Sequence, residues 1–305
     1  MNYLKKLAGL APDTEKAKKE VSEILPVSDL SASFACQSSE CHTKYSSSCF
    51  KLSPEAEATP LWESAKAPSI HILVSTGKTD WAHDAFNDDQ PEGSILPKIA
   101  QESEKIGGVK LNVTGDGFDM SDLNFGEYAT FKRCDLLILP WFVVVKGVTA
   151  DNVQAVFEVI SNVLETGTDG EQGKILMEKM IDGVSVVKNK NGSHILLCSH
   201  KTRDKKCGLT APIMKKEFES QLNDHGLYRD ASDDREGGSK VTFVNHVGGH
   251  KFSANVLIYK TNGSFVWFAK CNPLNVKYLI EETILNDKVY AENIRACKKF
   301  EGIDW

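Results

Sequence analysis

Short apolar runs alternate with amphipathic stretches from about residue 70 onward. The run SIHILVST contains Ile70, Ile72 and Val74 and ends in small polar residues, which predicts a buried strand. The same reasoning predicts further elements in this half of the chain, namely strands over 109–113 and 134–145 and helices over 95–106 and 151–165. Strands that alternate with helices in this way indicate an α/β fold.

A second α/β segment follows the polar, glycine-rich stretch 165–173, which is predicted to be a linker. Its predicted elements are strands over 193–197, 240–245, 255–259 and 264–269, a helix over 210–224 with Thr210 as N-cap, and a helix over 276–285. The two halves share a short echo, because HILVSTGKTD at 71–80 and HILLCSHKTR at 194–203 match at five of ten positions. Duplication explains this match, and so does chance similarity between short apolar strands.

The residues before 66 have a different character. The first 25 residues can form an amphipathic helix, which we expect to be loosely attached. Between 28 and 60 the chain is rich in Ser, Thr, Glu and Ala, and it has too little apolar surface to offset the entropy of ordering. The predicted organisation is therefore a tail at 1–65, a domain at 66–167 and a second domain at 174–305.

Charge and composition exclude several classes of protein. The chain has 36 basic and 42 acidic residues and a net charge of −6, so no global positive field favours nucleic acid. No apolar run approaches the ~20 residues that cross a bilayer. Eight cysteines in 305 residues, without a secretory signal pattern, indicate a reducing compartment, and we expect the cytoplasm, with the nucleus left open.

Four residues with metal-binding side chains fall into two pairs. Cys198 and Cys207 lie on one predicted loop, and His246 and His250 lie in NHVGGHKF after a later strand. Two thiols and two imidazoles predict a metal site. Eight residues between the cysteines are a poor zinc hook, and the Cys and His order differs from that of Rieske centres, so the residues alone leave a structural zinc and a 2Fe-2S cluster open.

Other cysteines and histidines receive simpler interpretations. His194 and His200 fit neither pair and are predicted to be a strand residue and a solvated loop residue. Cys36, Cys41 and Cys49 in the Ser-rich tail are either incidental thiols or metal ligands.

Three strings carry a resemblance to a known family. They are CSHKTRDKKCGLTAP at 198–212, HGLYRD at 225–230 and FVNHVGGHKFSANV at 243–256, and they closely resemble the sucrase/ferredoxin-like family. A weaker resemblance extends through TGKTDWAHDA in the first half. The resemblance implies two tandem thioredoxin-like domains, of which the second is a ferredoxin. It also implies a 2Fe-2S cluster with Cys198 and Cys207 on one iron and His246 and His250 on the other.

These ligands imply a distinct redox behaviour. Two thiolates and two neutral imidazoles leave the oxidised site uncharged, whereas four thiolates leave it negative. The reduction potential should therefore lie above that of plant-type ferredoxins, which is about −400 mV. Iron-bound imidazole can lose its second proton, so electron and proton uptake should be linked. We therefore expect an electron carrier without substrate chemistry of its own; a zinc-stabilised interaction module and a cluster-based redox sensor are the alternatives.

Two features suggest partners. The last three residues, Ile303, Asp304 and Trp305, are similar to the tail by which the cytosolic iron-sulfur targeting complex recognises client proteins; alternatively, the tryptophan packs on its own core. Four basic residues crowd the cysteine loop, at Lys201, Arg203, Lys205 and Lys206. They form either a docking surface for an as yet unidentified acidic reductase or electron acceptor, or an ordinary solvated loop.

Overall fold

A large mixed β-sheet runs through both halves of the chain in the computed structural model, which describes residues 15–28, 42–117, 123–179 and 181–303. Its strands are β1 (Ile70–Ser75), β2 (Val109–Thr114), β3 (Arg133–Leu139), β4 (Val143–Thr149), β5 (Ser185–Lys188), β6 (Ser193–Cys198), β7 (Tyr228–Arg229), β8 (Ser239–Val244), β9 (Val256–Lys260), β10 (Ser264–Phe268) and β11 (Ile294–Lys299). The helices are α1 (15–22), α2 (Pro54–Ala58), α3 (Leu96–Glu104), α4 (Phe125–Ala129), α5 (Val153–Thr166), α6 (Gln172–Glu178), α7 (Lys205–Asp224) and α8 (Pro273–Tyr278), which continues as a π-helix over Leu279–Leu285. Short 3-10 turns occupy Ser47–Phe50, His250–Phe252 and Ala291–Asn293.

The two halves repeat one pattern of strand pairing. The sheet order is β11-β10-β9-β6-β8-β2-β1-β3-β4-β5, with β7 beside β8. In the first half β1 pairs with β2 in parallel and with β3 antiparallel, and in the second half β6 pairs with β8 in parallel and with β9 antiparallel. β1 and β6 hold the same place in this pattern, and each contains the start of one of the two similar segments, 71–80 and 194–203. The shared pairing favours duplication over chance similarity.

The halves join through a short contact between β2 and β8. The ladder pairs Thr114 with Val244 only, and β7 pairs with the beginning of β8. Side chains of β1 and β9 nevertheless meet, because His71 Nδ1 lies 3.0 Å from the Tyr259 hydroxyl. Four strand spacings separate these strands along the sheet, which is about 19 Å in a flat sheet. The sheet must therefore fold back at the β2–β8 junction, so that its two halves face each other.

This folding back produces four layers. Successive side chains of a strand face opposite sides of a sheet. Ile72 of β1 packs outward in a core shared with α3, α5 and α6, and Ile195 of β6 packs outward against α7 and α8. Leu73 and Leu196 face inward and share one core between the half-sheets. The architecture is thus helix, half-sheet, half-sheet, helix, and it confirms the α/β class.

Two predicted elements have different bounds. The apolar run at 134–145 is a hairpin rather than one strand, because Pro140 offers no N–H to a ladder and Phe142 adopts a φ of 50°. Helix α7 begins at Lys205 instead of Thr210, since the Asp204 carboxylate caps it by accepting from the amides of Lys206 and Cys207.

The predicted linker is short in the structure. Helix α5 ends at Thr166 and α6 begins at Gln172. Strand β5, which follows α6, pairs with β4 in the first half, so the sheet continues across this connection.

The N-terminal segment that the structure describes is packed rather than loosely attached. Val21 and Leu25 are buried in the core that contains α7, and Trp62 Nε1 donates to Glu20 at 2.6 Å. Cys36 and Cys41 lie outside the described residues. Within the described part of the chain, no helix has the length and apolar content that a membrane crossing requires.

The buried His71 predicts a stability that depends on pH. Burial, aided by the charge of Lys110, lowers the pKa of His71 from 6.5 to about 3. Between these values the unfolded chain binds a proton that the folded chain does not, so the free energy of unfolding should fall as the pH decreases. His71→Gln should cost about 1–3 kcal/mol at neutral pH and make this pH dependence shallower.

Urea unfolding between about pH 7 and about pH 4 measures both effects. The exposed His225 offers a matched control, and His225→Gln should leave the slope as it is in the unmodified chain. An unchanged slope in His71→Gln would show that His71 titrates normally in the folded protein.

Candidate metal centre

Cys198 is the last residue of β6 and points between the half-sheets. It is 2% exposed and belongs to the shared inner core. A strand end of this kind places a side chain at the rim of the sheet, where the following connection leads into α7.

Cys207 reaches the same point from the first turn of α7. The predicted loop position was wrong, because the earlier helix start places Cys207 inside the helix, and it is 0% exposed. Its sulfur lies 3.2 Å from the Ser253 hydroxyl, which donates to the His250 carbonyl at 2.7 Å. The cysteine pair and the histidine segment are therefore connected through Ser253.

The two cysteine thiols interact, and their pKa values shift in opposite directions. A hydrogen bond from Cys207 holds the pKa of Cys198 well below its ordinary value, and the His246 imidazole and the Val247 amide lower it further. The same contact with Cys198, together with burial, raises the pKa of Cys207. The N-terminus of α7 also favours negative charge at this place. The pair is thus set up to carry thiolate.

The two histidines lie side by side next to the sulfurs. Their ring centroids are 5.5 Å apart, with His246 half-buried and His250 exposed. Gly248 and Gly249 between them adopt φ angles of 94° and 69°, which L side chains rarely adopt. A Cβ at Gly249 would also lie 2.5 Å from the Arg295 guanidinium. The loop can therefore turn this tightly only with glycine.

His200 is a functional candidate that the sequence reasoning missed. It was predicted to be solvated, yet it is 1% exposed. Its Nε2 lies 3.0 Å and 2.9 Å from the carbonyls of Trp81 and Ala82, and its Nδ1 accepts from the His246 amide at 3.2 Å. Because carbonyls only accept, Nε2 carries the proton and the ring is neutral at this geometry. His200 thus ties the histidine loop to the first half.

The four residues fit a site that takes its ligands in pairs. Among the described residues, no group of three or more His, Cys, Asp or Glu side chains is arranged to hold one ion. A 2Fe-2S cluster instead takes two ligands at each iron. The two buried cysteines form one pair and the two adjacent imidazoles another, and the buried Nδ1 of His246 has no hydrogen-bond partner. A ring nitrogen without a partner can serve as a metal ligand.

The remaining candidates lie elsewhere. Burial raises the pKa of Cys134 and Cys271, and raises that of Cys297 to about 12, so these thiols are held protonated. Cys49 lies half-buried in the turn Ser47–Phe50. Ile303 donates its amide to the Thr261 carbonyl at 2.9 Å, whereas Asp304 and Trp305 lie outside the described residues.

Two of the four basic residues near the cysteines donate hydrogen bonds to backbone carbonyls, and the other two are exposed. Arg203 donates to the His83 carbonyl at 3.0 Å, and Lys206 donates to the Lys51 carbonyl. Lys201 and Lys205 are exposed.

Comparison with known proteins places the chain in a family. The sucrase/ferredoxin-like family model matches residues 61–296. The chain is 34% identical over 308 residues to Actin patches distal protein 1 of Saccharomyces cerevisiae, covering 94% of this chain and 93% of that relative. It is also 34% identical over 104 residues to Altered inheritance of mitochondria protein 32 of Debaryomyces hansenii, covering 33% of this chain and 34% of that relative. No solved structure matches the chain. Because the family match spans most of the sequence, the chain belongs to the sucrase/ferredoxin-like family.

Proposed function

We propose that this protein is a one-electron carrier that holds a 2Fe-2S cluster on Cys198, Cys207, His246 and His250. The observation that supports it most directly is that two buried cysteines lie at one end of the folded-back sheet beside two adjacent imidazoles, with Ser253 joining the Cys207 sulfur to the His250 carbonyl. When bound, such a cluster accepts and releases one electron. No bond to a substrate forms or breaks, so the protein would be a carrier rather than an enzyme.

The proposed ligands differ in their exposure to solvent, because the two cysteines are buried, His246 is half-buried and His250 is exposed. Cys198 and Cys207 lie in the core, where the end of β6 and the first turn of α7 shield them from water. His250 is exposed, so its imidazole can exchange a proton with solvent at the ring nitrogen that holds no metal. One electron and one proton would then be taken up together at this end of the protein.

We further propose that each half is a thioredoxin-like domain, and that the boundary lies after β5 rather than at the predicted 167/174, because α6 and β5 pack with the first half. The repeated pairing of β1 with β2 and β3, and of β6 with β8 and β9, supports two copies of one unit. Only the second copy carries the proposed cysteine ligands. Where Cys198 ends β6, the equivalent strand β1 ends in Ser75. The carrier would work in the cytoplasm, where the targeting complex suggested by the tail is found.

Metal and sulfide analysis tests the cofactor. The protein purified without air should contain iron and acid-labile sulfide in equal amounts and show broad visible absorption. Cys198→Ser and Cys207→Ser should each lose most of this iron. The buried Cys134 lies in the first half, so Cys134→Ala should keep it.

Zinc in place of iron, without sulfide or colour, would overturn the electron-carrier proposal and support the structural module. If both serine variants keep their iron, the two cysteines are not ligands.

Exchange of the histidines tests their place in the site. His246→Cys and His250→Cys should keep a cluster but lower its midpoint potential, because each adds a negative thiolate where a neutral ring stands. Redox titration followed by absorption measures the change. His225→Cys, at an exposed position on the C-terminal end of α7, is the matched control and should leave the potential unchanged. Equal potentials in all four proteins would place the histidines outside the cluster.

The C-terminal residues test the proposed partner. Trp305→Ala should lower the iron content of protein made in a eukaryotic cytosol, because the indole would no longer bind the targeting complex. Chemical reconstitution with iron and sulfide should restore full loading, since the proposed ligands lie elsewhere. A normal iron content together with a reduced free energy of unfolding would show instead that Trp305 packs on its own core.

A further inference from the structure

The loop between the two histidines is held by side chains from outside it. Each of its four successive carbonyls accepts a hydrogen bond: His246 from Asn112 at 3.4 Å, Val247 from Lys110 at 3.1 Å, Gly248 from Arg295 at 2.9 Å and Gly249 from Asn255 at 3.2 Å. Two of these donors, Lys110 and Asn112, are on β2 in the first half of the chain. The half that supplies none of the proposed ligands therefore contacts the histidine loop directly.

Lys110 and Arg295 also bring positive charge to the sulfur pair. They lie over the Trp267 ring, with Lys110 Nζ 4.8 Å and the Arg295 guanidinium carbon 4.6 Å from its centroid. Burial lowers the pKa of Lys110 to about 8 and that of Arg295 to about 10, while the Cys198 thiolate opposes this change in both. Both residues thus remain largely charged at neutral pH. Arg295 lies near Cys198, because it donates to the Asn255 side chain at 2.9 Å while the Asn255 carbonyl accepts from the Cys198 amide at 3.4 Å.

We propose that Lys110 is a positioning residue of the metal centre, which fixes the histidine loop through the Val247 carbonyl and, with Arg295, supplies positive charge to the sulfur pair. This inference rests on the proposed function, because the charge matters only where an electron is received. A buried positive charge stabilises the reduced form, which is the more negative one, and so raises the potential. The first half would then contribute to the site although it supplies none of the proposed ligands.

The internal repeat supplies a matched control. Lys110 stands opposite His71 in the pairing of β1 with β2, and Lys240 stands opposite His194 in the pairing of β6 with β8. The two lysines therefore hold equivalent places in the two halves. Lys240 instead forms an ion pair with Asp116 at 3.1 Å.

The first measurement needs no cofactor. In metal-free protein, amide hydrogen exchange over residues 245–252 should be about tenfold faster in Lys110→Met than in the unmodified chain, because the loop loses a hydrogen bond from a charged donor. Lys240→Met should leave exchange in this segment unchanged, and β4 serves as an internal reference for general loosening. Unchanged exchange in Lys110→Met would overturn the positioning role.

The second measurement uses the loaded protein at neutral pH. Lys110→Met should have a lower midpoint potential than the unmodified protein, and Lys110→Arg, which keeps the charge, should recover most of the difference. Equal potentials in Lys110→Met and the unmodified protein would overturn the charge role. A protein that binds no iron would instead defeat the proposed function, and hydrogen exchange would still decide whether Lys110 holds the loop.

Discussion

The contact between the inner faces of the two half-sheets is the interaction on which the rest of the structure depends. The backbone junction is short, so side chains must hold the halves together. Apolar residues such as Leu73 and Leu196 share this core, but His71 and Asn112 are buried there too. Buried polar groups are tolerated only when hydrogen-bonded. His71 meets that condition by bonding Tyr259 in the other half and Asn112 beside it. These hydrogen bonds fix the position of one half-sheet relative to the other, which apolar contacts alone would not do.

Strand β2 links this interface to the proposed metal centre. Its outward residues pack against the helices of the first half, while its inward residues, among them Lys110 and Asn112, reach the second half. His200 makes the opposite connection, from the cysteine loop back to the carbonyls of Trp81 and Ala82. The site is therefore bound on two sides to a half that contributes none of the proposed ligands. Separation of the halves would remove contacts from the histidine loop and from the cysteine loop alike.

Local patterns predicted the elements whose structure is decided locally. Continuous apolar runs are sufficient for β1 and β6, which are buried on both faces. The hairpin was missed because its turn, at 140–142, is as apolar as the strands that it joins. Strand β5 and the basic β11 are edge strands whose pairing partners are distant in sequence, so their patterns are weak. The sequence analysis assigned no role to Lys110, since nothing in β2 itself shows that a second half-sheet covers that face.

The same distinction governs the candidate site. A strand end followed at once by a helix brings its two flanking residues together, so the spacing of Cys198 and Cys207 already indicated a pair. The roles of His200 and Lys110 depend on partners more than a hundred residues away, and only the folded chain brings them together. The proposed centre consequently combines a buried, locally formed sulfur pair with an accessible imidazole pair whose geometry depends on tertiary contacts. The proposed centre would thus keep its cysteines in the core and the His250 imidazole at the surface.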